Sequence, residues 1–192
     1  MSLIMTAKTT HNKILFGVTG SIAAYKAPHI VRRLRQKDYD VQVVLTQGGA
    51  RFTTPLTLST VSGKPVLQSM WDDQNTWHNH VMLAKQSSLL LIAPASANCL
   101  AKLAHGQCDE MLYALYLSAT CPVVVAPAMD LDMWKHASVR RNVAQLKKDG
   151  VFVLEPSSGA LASGLEGKGR LPEVEEIVLF MEDVLQQSIQ NS

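Results

Sequence analysis

Five short runs of β-branched and leucine-rich residues recur along the chain, and they constrain its fold more than any other feature. None of them shows the strict polar alternation of a strand in a sheet with one wet face. Continuous apolar runs of this length are typical of strands buried on both faces of a parallel sheet. We therefore predict buried strands at residues 14–19, 41–46, 89–93, 123–126 and 151–154.

Segments with helical apolar spacing lie between these runs, at residues 27–34, 100–104 and 112–116, and a closing helix is predicted at 173–187. Strand and helix in alternation predict a parallel sheet covered by helices on both faces. The predicted fold is α/β, a Rossmann-like (flavodoxin-like) open parallel sheet in a single domain. We place that domain at residues 13–188, after a flexible N-terminal leader at 1–12.

Composition supports one compact domain and excludes several partners. Of 192 residues, 47% are hydrophobic and 18% charged, which is enough for a substantial core. The net charge of +2 gives no reason to expect nucleic acid or an anionic membrane as partner. No apolar run approaches the ~20 residues that span a bilayer, and the N-terminus lacks a signal-peptide core. A cytoplasmic location is expected.

Neither a disulfide framework nor a metal site is predicted. The three cysteines, Cys99, Cys108 and Cys121, are odd in number and lack CxxC spacing, so we expect buried thiols. His78 and His80 stand two residues apart, but no third metal ligand follows at a sensible spacing.

Two irregularities interrupt the pattern. Pro28 falls inside the first helical segment, where it would remove a hydrogen bond and kink the helix. Residues 155–172 contain four of the eleven glycines, so we expect a mobile loop or flap there. Long loops in compact domains are frequently functional, and a functional role is expected here.

The residues after each predicted strand deserve first inspection, because open parallel sheets bind ligands at the carboxyl ends of their strands. After the first strand, Gly20 permits a tight turn and Ser21 is suited to cap a helix, which leaves backbone N–H groups for an anion such as phosphate. An ordinary strand-to-helix turn would have the same sequence, so this motif alone leaves both interpretations open.

Two absent motifs narrow the choice of cofactor. Neither GxxxxGK[ST] nor GxGxxG is present. The second strand ends at Thr46 without the acidic residue that binds the ribose of NAD. A mononucleotide therefore fits better than a dinucleotide, with the Thr46 hydroxyl as a further phosphate or ribityl contact, and FMN is the candidate.

The third and fourth predicted strands also lead into chemically suggestive residues. Small side chains at Ser96, Ala97 and Asn98 suit a flat ring system. The fourth strand is followed by Asp130 and Asp132, an acidic pair at the ligand end of the sheet. Elsewhere, His80 is a candidate acid or base, because histidine as a residue type is suited to proton transfer near neutral pH, although a surface or core role is the alternative for any single histidine.

Together these pieces resemble the homo-oligomeric flavin-containing cysteine decarboxylases, and most closely the phosphopantothenoylcysteine decarboxylases. The resemblance extends from about residue 13 to 185. Its motifs are Gly20-Ser-Ile-Ala-Ala-Tyr-Lys26, Thr54-Pro-Leu-Thr57, His80, Ala93-Pro-Ala-Ser-Ala-Asn98, Pro127-Ala-Met-Asp-Leu-Asp-Met-Trp134, Leu161-Ala-Ser-Gly164 and Gly167-Lys-Gly-Arg170.

The resemblance implies a role for each matching residue. It makes His80 the active-site base and places Asp130 and Ser163 at two further catalytic positions. It assigns FMN phosphate and ribityl contacts to Gly20, Ser21, Ile22 and Thr46, and a flavin-lining role to Ser96, Ala97, Asn98 and Ala128.

Two departures from the family pattern fall on the chemistry. Asp130 replaces an asparagine that fixes the substrate carboxylate or amide, which adds a negative charge unless Asp130 is protonated or paired. Ser163 replaces the flap cysteine that donates a proton in the reductive step, and a hydroxyl is a far weaker acid than a thiol.

The resemblance implies FMN-dependent decarboxylation of phosphopantothenoylcysteine, a phosphorylated cysteinyl small molecule, to phosphopantetheine in coenzyme A biosynthesis. Two alternatives remain: an oxidative peptidyl-cysteine-type decarboxylase that stops at the enethiol, and a non-catalytic FMN-binding regulatory subunit. A homotrimer or a higher multiple such as a dodecamer is expected.

Overall fold

A five-stranded parallel sheet forms the centre of the molecule in the computed structural model, which describes residues 12–71 and 76–190. The strand order is β2-β1-β3-β4-β5, the doubly wound order of flavodoxin-like domains. Its strands are β1 (Lys13–Val18), β2 (Asp40–Leu45), β3 (Leu89–Ala95), β4 (Val123–Pro127) and β5 (Phe152–Val153). The predicted leader lies outside the described residues, apart from Asn12.

Helices cover both faces of the sheet, as predicted. In β1, Ile14 and Phe16 pack into one core beneath α1 and α8, while Leu15 packs into a second core with α4, α5 and α7. Burial on both faces explains the absence of polar alternation. The helices are α1 (Ala27–Gln36), α2 (Pro55–Ser62), α3 (His80–Lys85), α4 (Ala97–Ala104), α5 (Met111–Ser118), α6 (Leu131–Lys135), α7 (Ala137–Lys148) and α8 (Val174–Gln190), with short 3₁₀ helices at Ile22–Lys26 and Gly49–Arg51.

The predicted kink at Pro28 is wrong. A 3₁₀ helix ends at Lys26, and α1 begins at Ala27, so Pro28 occupies the first turn of a new helix. The lack of an N–H group at Pro28 removes no helix hydrogen bond, because the first N–H groups of a helix have no intrahelical partner.

The glycine-rich segment at 155–172 connects the last strand of the sheet to the last helix as predicted, but it forms a β-hairpin rather than a loop, and its mobility stays a prediction. Strands β6 (Ser157–Ala160) and β7 (Glu166–Arg170) pair antiparallel and satisfy the backbone of the segment. Gly164 adopts a φ of 85° at the turn between them, a conformation that favours glycine. The glycines therefore permit a turn and close packing.

The cysteines only partly follow the prediction. Cys99 is buried, and burial raises its pKa to about 12, whereas Cys121 is partly buried. Cys108 is exposed in the turn between α4 and α5, so the prediction of a buried thiol is wrong there.

Across residues 12–71 and 76–190, no three or more His, Cys, Asp or Glu side chains are grouped to hold a metal ion. None of the helices described is both long and apolar enough to span a bilayer.

Candidate active site

A cavity of about 660 Å³ lies at the carboxyl ends of β1, β3 and β4, and the hairpin β6–β7 contributes one wall. It occupies the position at which doubly wound sheets bind ligands. Three of the residues singled out by the sequence, Thr46, Asn98 and His80, do not line it. The cavity brings together the other eight: Gly20, Ser21, Ile22, Ser96, Ala97, Ala128, Asp130 and Ser163.

The loop after β1 is closely packed. A Cβ at Gly20 would lie 3.1 Å from the Cα of Gly48, so the neighbouring loop leaves little room for a side chain. The Ser21 hydroxyl accepts a 3.3 Å hydrogen bond from the N–H of Ala23 and caps the short 3₁₀ helix, as its sequence position predicts. The loop therefore presents its backbone and one serine to the cavity.

Thr46 supports this loop from outside the cavity lining. Its buried hydroxyl donates to the carbonyl of Val18 at 3.2 Å and accepts from the N–H of Gly49 at 3.0 Å. Its donor and one of its two acceptor lone pairs are therefore used within the fold. A direct contact between Thr46 and a cofactor stays a prediction.

A buried threonine fixes the end of β3. The Thr19 hydroxyl donates to the carbonyl of Pro94 at 2.7 Å and accepts from the N–H of Ser96 at 2.9 Å. Ser96 in turn caps α4 by accepting from the N–H of Cys99 at 3.2 Å. Ser96 is thereby held at the cavity, whereas Asn98, two residues on, is exposed and outside the lining.

The end of β4 supplies an acidic group. Asp130 immediately precedes α6, is partly buried and lines the cavity together with Ala128 and Met133. Among the residues that the structure describes, none forms a hydrogen bond or ion pair with the Asp130 carboxylate. This carboxylate is therefore available to a ligand.

The hairpin docks on the same strand end. A Cβ at Gly167 would lie 2.8 Å from Cδ1 of Leu131, so this glycine admits the α6 side chain. Ser163 stands in the hairpin turn, exposed to solvent and part of the cavity lining. The docking places Ser163 and Asp130 on one cavity, although 33 positions separate them in the sequence.

Ion pairs connect the base of the hairpin to helix α7. Glu155 pairs with Lys168 of β7 and, at 3.1 Å, with Lys147 of α7. Hydrogen bonds from Lys168 and then Lys147 lower the pKa of Glu155 to about 2. The hairpin is therefore tied to α7 by a carboxylate that stays ionised over most of the pH range.

His80 lies outside the cavity lining of its own chain. It begins α3, and its ring meets that of Trp77 nearly perpendicularly, with 5.5 Å between the centroids. Its Nδ1 is buried and has no hydrogen-bond partner within the described part of the chain. Trp71, Trp77 and Met82 expose large apolar surfaces in the same part of the sequence.

A model of the Flavoprotein family matches residues 3–186. This chain belongs to the Flavoprotein family. Among curated proteins, the bifunctional coenzyme A biosynthesis protein CoaBC of Mycolicibacterium smegmatis is 41% identical over 180 residues, which cover 94% of this flavoprotein and 43% of that protein. The chain spans less than half the length of the curated relatives it matches.

Two solved structures resemble this flavoprotein closely in shape. The FMN-dependent cysteine decarboxylase SpaF has a TM-score of 0.79 and 32% identity, covering 94% of this chain and 99% of that one. A mutant PPC decarboxylase in which serine replaces a cysteine, complexed with pantothenoylaminoethenethiol, has a TM-score of 0.77 and 28% identity. That match covers 92% of this chain and 98% of the other.

Two cations that line the cavity, Lys26 and Arg170, were not among the predicted site residues. The Lys26 ammonium is buried and donates to Oε2 of Glu173 at 3.1 Å, while Nη2 of Arg170 donates to Oε1 of the same carboxylate at 2.7 Å. Both cations belong to motifs quoted for the family resemblance. What distinguishes these two residues from other cations of the sequence is that the fold brings both to the cavity and to the same carboxylate, that of Glu173.

Proposed function

We propose that this flavoprotein binds FMN and decarboxylates phosphopantothenoylcysteine, a step of coenzyme A biosynthesis. The observation that carries the proposal is that the loop after β1, the ends of β3 and β4, and Ser163 of the hairpin line one and the same cavity. The names of relatives and structural neighbours support the same chemistry: CoaBC, PPC decarboxylase and FMN-dependent cysteine decarboxylase.

The cavity residues fit a flavin mononucleotide. Ala97 and Ala128 leave space for a flat ring, and the hydroxyls of Ser21 and Ser96 supply polar contacts for the rest of the molecule. The volume of about 660 Å³ is typical of a site for a small molecule or cofactor. FMN, when bound, supplies the two-electron oxidation of the substrate thiol.

The residues of the chain position the substrate and move protons. Oxidation of the cysteinyl thiol gives a thioaldehyde, an electron sink beside the carboxylate, and the carboxylate then leaves as carbon dioxide. Asp130, when ionised, accepts a hydrogen bond from the substrate amide N–H and repels the substrate carboxylate. The hairpin forms one wall of the cavity and places Ser163 beside the reacting end.

The proposed base, His80, requires a second copy of the chain. His80 does not line the cavity of its own chain, and exposed Trp71, Trp77 and Met82 provide apolar surface for association. We infer a homotrimer, or a multiple of it such as a dodecamer, in which His80 acts at a neighbouring cavity. A cytoplasmic location is part of this proposal, since a charged phosphorylated substrate does not cross a bilayer unaided.

Ser163 favours a second candidate product. Full conversion to phosphopantetheine requires the enethiol left by decarboxylation to regain two electrons and two protons. A serine hydroxyl donates a proton far less readily than a cysteine thiol, whose usual pKa is about 8.5. A PPC decarboxylase with serine in place of a cysteine is solved with pantothenoylaminoethenethiol bound, which supports an enzyme that stops at the enethiol.

Mass analysis of the products separates these candidates. The FMN-loaded protein is incubated with phosphopantothenoylcysteine, beside Ser163→Cys and Ser163→Ala variants. Phosphopantetheine supports the complete reaction, whereas a product lighter by two hydrogen atoms supports the oxidative one. Ser158→Ala, at an exposed position of β6 outside the cavity, is the control. Bound FMN without carbon dioxide release would contradict both.

A further inference from the structure

Two cations and one carboxylate form a connected group at the hairpin side of the cavity. Lys26 and Arg170 both line the cavity, and each contacts one oxygen of Glu173. The Lys26 side chain is 9% exposed, whereas those of Arg170 and Glu173 are 44% and 59% exposed. Water therefore screens the negative charge of Glu173 more than the positive charge of Lys26.

The hairpin fixes the direction of Arg170. Arg170 ends β7, and its side chain lies across Gly159 of the paired strand β6. A Cβ built on Gly159 would lie 3.4 Å from Nη1 and 3.5 Å from Cδ of Arg170. The Arg170 side chain packs over Gly159, and the ion pair with Glu173 fixes the guanidinium where it lines the cavity.

Arg170 retains unused hydrogen-bond donors. A guanidinium carries five N–H donors, and one contact, to Glu173, is made within the described part of the chain. The remaining donors form a planar fork that matches two oxygens of a phosphate. Lys26, with two acceptors for three N–H bonds, adds positive charge behind this fork.

We propose that Arg170, oriented by Glu173 and supported by the charge of Lys26, binds the phosphate monoester of the substrate. This inference rests on the proposed function and specifies its substrate class. Ser163 stands in the turn of the hairpin and Arg170 at the far end of β7, so an elongated substrate whose cysteinyl end lies at Ser163 extends along the hairpin toward Arg170. A phosphorylated small molecule satisfies this site, and an uncharged peptide segment does not.

The test compares phosphorylated and unphosphorylated substrates. Phosphopantothenoylcysteine and pantothenoylcysteine are turned over by the FMN-loaded parent, by Arg170→Gln and by Arg170→Lys. Arg170→Gln should raise KM for the phosphorylated substrate roughly 10- to 100-fold, the loss of a hydrogen bond to a charged group, and leave the unphosphorylated substrate unchanged. Arg170→Lys should rescue part of the loss, and Arg32→Gln, at an exposed position of α1, should have no effect.

A binding experiment makes the outcome independent of turnover. Calorimetry with phosphopantothenate and pantothenate should show the same phosphate-dependent loss of affinity in Arg170→Gln, with FMN affinity unchanged. Equal effects on both ligands, or a loss confined to FMN, would overturn the assignment to the substrate phosphate. A parent protein that binds phosphopantothenate through Arg170 but releases no carbon dioxide would contradict the proposed function alone.

Discussion

Gly169 and Met129 meet backbone to backbone where the hairpin docks on the end of β4. The N–H of Met129 donates to the carbonyl of Gly169 at 3.0 Å, and a Cβ at Gly169 would lie 2.3 Å from the carbonyl oxygen of Met129. No other residue type fits without moving one of these backbones. This contact joins the strand end that carries Asp130 to the hairpin that carries Ser163.

Gly169→Ala should therefore displace the hairpin. Decarboxylation should fall about tenfold or more, because misplacement of a positioning element by ~1 Å can cost on the order of 100-fold. Limited proteolysis should cut the hairpin faster, while the circular dichroism of the sheet persists. Gly106→Ala, where a Cβ meets nothing within 4 Å but φ is 64°, is the control for backbone strain alone. Unchanged activity in Gly169→Ala would show that the docking is dispensable.

Thr19→Val should destabilise the whole domain. The substitution keeps the side-chain shape and removes the hydroxyl that bridges Pro94 and Ser96, so two polar backbone groups lose a partner. The free energy of unfolding should fall by about 1–3 kcal/mol, the cost of leaving a buried group unsatisfied. Urea denaturation measures this, with exposed Thr60→Val on α2 as the control. Equal midpoints for the two variants would disprove the bridging role.

Because of Glu155, the stability of the hairpin should decrease as the pH falls through the acidic range. Its pKa is lowered from the usual 4.5 to about 2, so its stabilising effect is present above pH 4.5 and lost as the pH falls through about 2. Because its side chain is 37% exposed, the effect should stay below about 1 kcal/mol. Parent and Glu155→Gln should therefore differ at pH 7 and converge near pH 2 in denaturation experiments. Glu166→Gln, exposed on β7, should track the parent at every pH.

His80→Asn should abolish carbon dioxide release and leave FMN bound, because His80 is outside the cavity lining of its own chain. If a neighbouring copy contributes this residue, co-expression of His80→Asn with Gly169→Ala should restore part of the activity, since some cavities would combine an intact hairpin with an intact histidine. Light scattering should show a trimer or a multiple of it. A stable monomer with full activity would refute the shared site.

The sheet could be predicted from the sequence because burial on both faces leaves continuous apolar runs, as in Leu89–Ala95. The hairpin could not be, since its glycines serve close packing against Met129 and Leu131, which only the fold reveals. Helix α7 could not be predicted either, because its exposed face is rich in Lys and Arg and only a few apolar residues mark its buried face.

Part of the candidate site could also be predicted from the order of strands and helices. Residues just after strands, such as Ser21, Ser96 and Asp130, reach the ligand edge of a parallel sheet by topology alone. Arg170 reaches the cavity through the hairpin, and Lys26 is held there by an ion pair with Glu173, which lies 147 positions away in the sequence. No local pattern marks such contacts.

The most direct test of the proposed decarboxylation is incubation of the FMN-loaded protein with phosphopantothenoylcysteine, followed by measurement of carbon dioxide and product mass. We expect stoichiometric carbon dioxide and a decarboxylated, still phosphorylated product, either phosphopantetheine or the enethiol lighter by two hydrogen atoms. Recovery of unchanged substrate from a protein that retains its FMN would contradict it.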